Sequence, residues 1–207
     1  MIASVFTTLE KEIDAYIAQQ KSLLQLQSSQ SLVDEIPEDY VSLLEGEVSD
    51  DMVRFQMDRI SALLLNVEEE QTLRAADRYS RVNQEGIREP QFPSIRLNLY
   101  ILFVFTYQNY KTCMTMLDWV IRFFQQRPIM EGTAYPDLDK GIDKLLVELI
   151  TLPFAEQNEV WNALRSAYRP SLLYRFKMLV FEAQPLQGPA GPVDSIQLQV
   201  PPSPTDT

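Results

Sequence analysis

The chain has 207 residues, 45% of them hydrophobic and 23% charged, the composition of one folded domain with a real core rather than of a disordered chain. Its formal net charge of -11 excludes the Lys/Arg concentration that draws proteins to phosphate backbones, so nucleic acid is not an expected partner. Cys113 is the only cysteine, which rules out an internal disulfide and the secreted disulfide-stapled class, and points to folding inside the cell.

Between residues 2 and 26, Ile2, Val5, Phe6, Leu9, Ile13, Ile17 and Leu24 recur largely at helical steps, predicting an amphipathic helix. Its polar side mixes Glu10, Glu12 and Asp14 with Lys11 and Lys21, so the apolar stripe is expected on the domain's own sheet and not on a membrane. These early charges also leave no apolar h-region of a secretory leader. Residues 34–51 hold eight acids and no Lys or Arg, together with Pro37 and Gly46, the pattern of an acidic surface excursion.

Residues 60–67 and 95–105 are nearly continuous apolar runs rich in β-branched and aromatic side chains, and both predict buried strands. The longest apolar stretch, 99–107, falls far short of the roughly 20 residues of a membrane-spanning helix. Asn83, Gly86, Pro90 and Pro93 supply turn chemistry between the two strands and predict antiparallel pairing. Met116, Val120, Phe123 and Phe124 then predict a helix over 112–126 that Pro128 stops.

A strand is expected over 144–152, after which Pro153 opens a helix carrying Val160, Trp161 and Leu164 toward Ala167, closed by Pro170. In 173–181, Arg175 and Lys177 alternate with Tyr174, Phe176 and Met178, as in a strand with one wet or interfacial face. After Ala183 the chain holds six prolines, two glycines and no Lys or Arg, the composition of an extended tail. The expected architecture is an α+β domain over 1–182, with a mixed, largely antiparallel sheet flanked by helices, and a Pro-rich tail over 183–207.

Recognisable catalytic chemistry is missing. There is no histidine, which removes the usual general base, the Ser-His and Cys-His pairs and the commonest transition-metal ligand. None of the six glycines completes a phosphate-binding loop. Asp137, Asp139, Gly141 and Glu148 approach a calcium loop, but the glycine falls one place early and Leu145 to Val147 fill the second half, so an ordinary turn before a strand is expected. Glu68, Glu69 and Glu70 follow an apolar strand and, being consecutive, point in different directions, which suits a solvated strand end better than a single site. No metal or cofactor is expected.

Four segments carry a family resemblance: Leu63-Leu64-Leu65-Asn66-Val67-Glu68-Glu69-Glu70-Gln71-Thr72-Leu73, Leu97-Asn98-Leu99-Tyr100-Ile101-Leu102-Phe103, Val120-Ile121-Arg122-Phe123-Phe124-Gln125, and Tyr168-Arg169-Pro170-Ser171-Leu172-Leu173-Tyr174-Arg175. In order and spacing they resemble the cap or tail-terminator proteins of extracellular contractile injection systems, over about residues 1–182. The acidic stretch at 34–51 is longer than that pattern, and Ser166-Ala167-Tyr168-Arg169 stands where the family often carries Gly and Lys. The resemblance implies a phage tail-terminator-like fold and a non-enzymatic ring, expected as a hexamer, assembled in the cytoplasm. Such a ring binds the distal end of tube and sheath, stops their growth and joins the two layers.

Two other readings compete. One is a small adaptor that binds a single partner through the strand face around Tyr174, Phe176 and Met178. The other is a carboxylate-based hydrolase built on Glu68 to Glu70 or on Asp137 and Asp139. For the ring, the expected intersubunit contacts pair Glu68, Glu69 and Glu70 with Arg74, Arg169 or Arg175 of a neighbour, because an acidic chain must offset its own repulsion to close.

Overall fold

The computed structural model describes residues 1–27, 39–43, 53–70, 80–82, 88–90 and 95–181. Along these residues run helix α1 (Ile2–Gln27), strands β1 (Val41–Leu43), β2 (Ile60–Glu69), β3 (Ser80–Val82), β4 (Arg88–Pro90) and β5 (Ile95–Phe105), and helix α2 (Tyr110–Gln126). Strands β6 (Ile129–Glu131) and β7 (Lys144–Ile150), helix α3 (Phe154–Ala163) and strand β8 (Ser171–Phe181) follow. Six strands form one mixed sheet in the order β1-β2-β5-β8-β7-β6, and β3 pairs with β4 in a separate ribbon. Only the β1–β2 pair is parallel within the sheet.

The alternation of β5 builds a layer on each side. Leu99, Ile101, Phe103 and Phe105 join the main core with Tyr174 and Phe176 of β8, while Leu102 and Val104 face a second, smaller core, as period-2 geometry requires. The main core is closed by α1 through Val5, Leu9, Ile13 and Ile17, and by α2 through Met116, Val120, Phe123 and Phe124, both at helical spacing. Its centre is aromatic: Phe124 lies 4.3 Å from Tyr174, 5.5 Å from Phe103 and 5.7 Å from Phe176, ring centre to ring centre. α2 begins at Asn109, whose side chain accepts from the amides of Lys111 and Thr112, a standard N-cap. The expected packing of the first helix on the domain's own sheet is what the structure has.

Four expectations need correction. The acidic stretch is not wholly an excursion, because Val41–Leu43 forms the edge strand β1, with Tyr40 and Val41 buried. β1 is held from α1, where the Asp14 carboxylate accepts from the amides of Tyr40 at 3.2 Å and Val41 at 2.8 Å. Residues 34–38 and 44–51 lie outside the described residues, as do most of the 83–93 turn and the tail after Ala183. β2 is buried only over Ile60, Ser61 and Ala62 and grows exposed toward Glu69, because the apolar run continues past the helices that cover its start. β6, over Ile129–Glu131, is a strand for which the sequence reading had no element. α3 stops at Ala163, not near Ala167: Arg165 takes φ 50, and the amides of Arg165 and Ser166 bond back to Asn162 and Trp161. That is a Schellman closure, with arginine at the position glycine normally fills.

Candidate interface on the open sheet face

The second face of the sheet is divided between two kinds of side chain. At one end Trp161 of α3 closes the smaller core over Leu102, Val104 and Leu173, with Leu65, Tyr100 and Val160 packed at its rim. At the other end no described helix covers the strands, and polar side chains from four of them join into a transverse ladder. On β2, Glu68 accepts from the Tyr100 hydroxyl of β5 at 2.7 Å. The Tyr100 oxygen accepts in turn from Arg175 Nη1 of β8 at 3.4 Å. Arg175 donates through Nε and Nη2 to Glu148 of β7, at 3.2 and 2.6 Å, and Lys177 reaches the other oxygen of that carboxylate at 2.7 Å.

Backbone register makes the ladder possible, since Arg175 stands directly opposite both Tyr100 and Glu148. A bulge between Leu64 and Asn66 and another between Leu97 and Leu99 adjust which residues meet. Lys177 and then Arg175 hold the Glu148 carboxyl below the ordinary carboxylate range, and Glu148 holds the Arg175 guanidinium above its usual value. Beside the ladder, Asn98 donates to Glu70 at 3.1 Å, and Asn66 Oδ1 accepts from the Val67 amide at 2.8 Å. The arrangement is a web of mutually satisfied charges.

The structure brings together Glu68, Glu70 and Arg175 of the expected interface residues on this one face. Glu69 is exposed and belongs to the same strand end. Arg169 lies half-buried before β8, and Arg74 is outside the described residues. Sequence reasoning missed Tyr100, Glu148 and Lys177 as parts of one unit. The available signal was the alternation of β5, which puts Asn98 and Tyr100 on the face away from Leu99 and Ile101.

The other acidic candidates have ordinary structural partners. Asp137 pairs with Lys11. Asp139 accepts from the Gly141 amide at 3.0 Å and lies 3.2 Å from the N-terminal ammonium of Met1; these hydrogen bonds hold its carboxyl low. Among the described residues no three acids or cysteines cluster as a metal site. Cys113 is buried on the core side of α2, and burial pushes its thiol up, away from the reactive thiolate. Also among the described residues, no helix is long and apolar enough to cross a membrane.

The Pvc16 N-terminal domain model matches residues 4–195. The chain belongs to that family. This Pvc16-family chain is similar in structure to the PVC sheath/tube terminator of an extracellular contractile injection system in its extended state, at 15% identity and a TM-score of 0.59. The likeness covers 100% of this chain and 65% of that one. It is also similar to the tube-terminating cap of the anti-feeding prophage, at 14% identity and a TM-score of 0.50, over 95% of this chain and 60% of that one. The Pvc16-family chain therefore spans less than two thirds of either relative's length, and at these identities the likeness is one of fold. No curated protein matches its sequence.

Proposed function

We propose that this chain is a non-enzymatic cap subunit that ends the tube and sheath of a contractile injection particle at its distal end and joins the two layers. The observation that carries this reading is the fold likeness over the whole chain to a sheath/tube terminator, within a family matched over residues 4–195. The proposed assembly is a ring, expected as a hexamer and formed in the cytoplasm, because a closed oligomer presents repeated surfaces to repeated tube and sheath subunits.

The adaptor reading loses its support. Tyr174 and Phe176, the side chains it relied on, are buried against Phe124 and cannot meet a partner.

For the contacts between subunits, Glu68, Glu69 and Glu70 remain the proposed acidic side. Arg175 is taken up by Glu148 within its own sheet, so the proposed basic side shifts to Arg169 and Arg74. Reversing the three glutamates to lysine should weaken oligomers at low salt, and reversal at Arg169 should restore them. Oligomer size unchanged across both variants in mass photometry would remove these residues from the interface.

The cap role itself is tested by negative-stain imaging of particles from a strain that lacks this chain. Sheath or tube lengths should become irregular, because growth is then limited only by subunit supply. Particles of normal, uniform length would overturn the proposal.

A further inference from the structure

Helix α3 is the least anchored helix of the domain. α2 buries six of its residues, whereas α3 buries Trp161 alone. With ten residues, α3 is shorter than a helix that stands by itself in water, so it depends on what it packs against. That packing is thin on both sides. An apolar groove of about 430 Å³ opens between the first half of α3 and the ends of β7 and β8, lined by Ile150, Leu152, Phe154, Trp161 and Leu173. Another, of about 410 Å³, lies between α3 and β2, lined by Leu63, Leu65, Val160, Ala163 and Leu164.

Both ends of the helix are held loosely. Pro153 gives the N-cap no side-chain hydrogen bond, where Ser, Thr, Asp or Asn would satisfy a free amide, and Phe154 beside it is 91% exposed. At the other end Arg165 takes φ 50, a conformation that works against the closure in a residue with a Cβ. The described backbone tie to the rest of the chain is one long bond, from the Val53 amide to the Leu164 carbonyl at 3.3 Å.

What α3 covers extends to the polar ladder. Trp161 closes over Leu102, Val104 and Leu173, and the Tyr100 ring packs at the rim of that small core. The hydroxyl of the same Tyr100 donates to Glu68 and accepts from Arg175, whose guanidinium lies 6.0 Å from the Tyr100 ring centre. One side chain therefore belongs to both units. The main core that α1 and α2 close contains no residue of α3, so it keeps its own packing when α3 leaves.

We propose that α3 is a detachable clamp: it undocks and unfolds as a unit while the sheet, α1 and α2 stay folded, and its docking fixes Tyr100 between Glu68 and Arg175. Docked, α3 keeps Glu68 engaged within its own subunit; undocked, it frees that carboxylate for a partner. The inference concerns a single copy and does not depend on the ring.

The test is hydrogen exchange on the full chain, read by mass spectrometry. Peptides over 154–163 should exchange at least about a hundredfold faster than those over 113–124 of α2, at a rate that low urea leaves unchanged, as local opening predicts. Asn158 is exposed, so substitutions there act on the helix and not on the core. Asn158→Ala should slow the exchange of α3 about threefold through helix propensity. Asn158→Pro should abolish the protection of α3 and leave that of α2 in place. In the same variant the Glu68 carboxyl carbon signal in NMR should move in the direction that Tyr100→Phe moves it. Exchange of α3 as slow as that of α2 with the same urea dependence, or loss of α2 protection in Asn158→Pro, would overturn the clamp. A Glu68 signal that responds to Tyr100→Phe but not to Asn158→Pro would overturn its link to the ladder.

Discussion

Replacing Asp14 with asparagine is expected to stabilise the protein at neutral pH, although the residue makes two backbone hydrogen bonds. The carboxylate on α1 ties down β1 through the amides of Tyr40 and Val41. Burial raises its pKa from 3.8 to about 6, with Glu10 and Asp39 adding to the rise and the two backbone donors opposing it. Tyr107 lies close enough for its own hydroxyl to be pushed up, by burial first and by Asp14 next. Because the folded-state pKa is raised, the folded protein binds this proton more tightly than the unfolded chain. Stability from this group is therefore complete below the ordinary aspartate range and is lost as pH rises through about 6.

A rise of about two pH units corresponds to about 3 kcal/mol for a fully enclosed group. Asp14 is only half-buried, and solvent screening reduces the figure to about 1–2 kcal/mol. The asparagine side chain would keep the acceptor oxygen and discard the charge. In urea unfolding, Asp14→Asn should gain about 1–2 kcal/mol over wild type at pH 7.5 and differ by less than about 0.5 kcal/mol at pH 4.0. Asp14→Ala separates acceptor from charge: it leaves two amides without their partner and should cost about 1–3 kcal/mol at pH 4.0. A gain for Asp14→Asn that is absent at pH 7.5, or equally large at both pH values, would refute the reasoning.

Glu148→Gln should cost no more than about 1 kcal/mol in chemical denaturation, since the ladder is half-exposed. The wild type's advantage should disappear as pH falls below the usual glutamate range, because the folded pKa of Glu148 is lowered. Gly132→Ala should destabilise by about 1–3 kcal/mol, as an added Cβ would lie 2.2 Å from the Ile142 carbonyl oxygen where β6 turns toward β7; calorimetry measures it. Arg165→Gly should raise the melting temperature by a few degrees, corresponding to about 1 kcal/mol, because Arg165 holds a left-handed conformation at the end of α3. An unchanged melting temperature would mean the arginine's own contacts offset its backbone strain.

Periodicity was sufficient for every long element: α1, β2, β5, α2, β7 and β8 lie where their apolar spacing puts them. It failed for β1, β3, β4 and β6, which have three residues each, too few to show a period. What makes residues 41–43 a strand is largely non-local. The acids around Val41 argue for a loop, yet the Asp14 carboxylate, from a helix far upstream, fixes the Tyr40 and Val41 amides, and β2 offers its first residues as the pairing edge. The end of α3 was misjudged for the opposite reason: apolar spacing carries on toward Ala167, and no glycine marks the turn that Arg165 makes.

The candidate interface face was legible residue by residue but not as a unit. Alternation identifies Arg175 and Lys177 as the wet side of β8, and the glutamate run marks the exposed end of β2. Which of these residues meet depends on register across four strands, and each of the two bulges changes the partner by one position. Placing Glu148 opposite Arg175 has a consequence for assembly. Two cations of an acidic chain are consumed inside the subunit by one carboxylate and one phenol, so they do little to offset repulsion between copies. The proposed ring, with each subunit carrying -11, must then close on apolar burial or on the chain's other cations. Screened ion pairs at an exposed face are worth only ~0–1 kcal/mol each, so in the proposed ring apolar burial between copies has to carry more of the closure than charge pairing does.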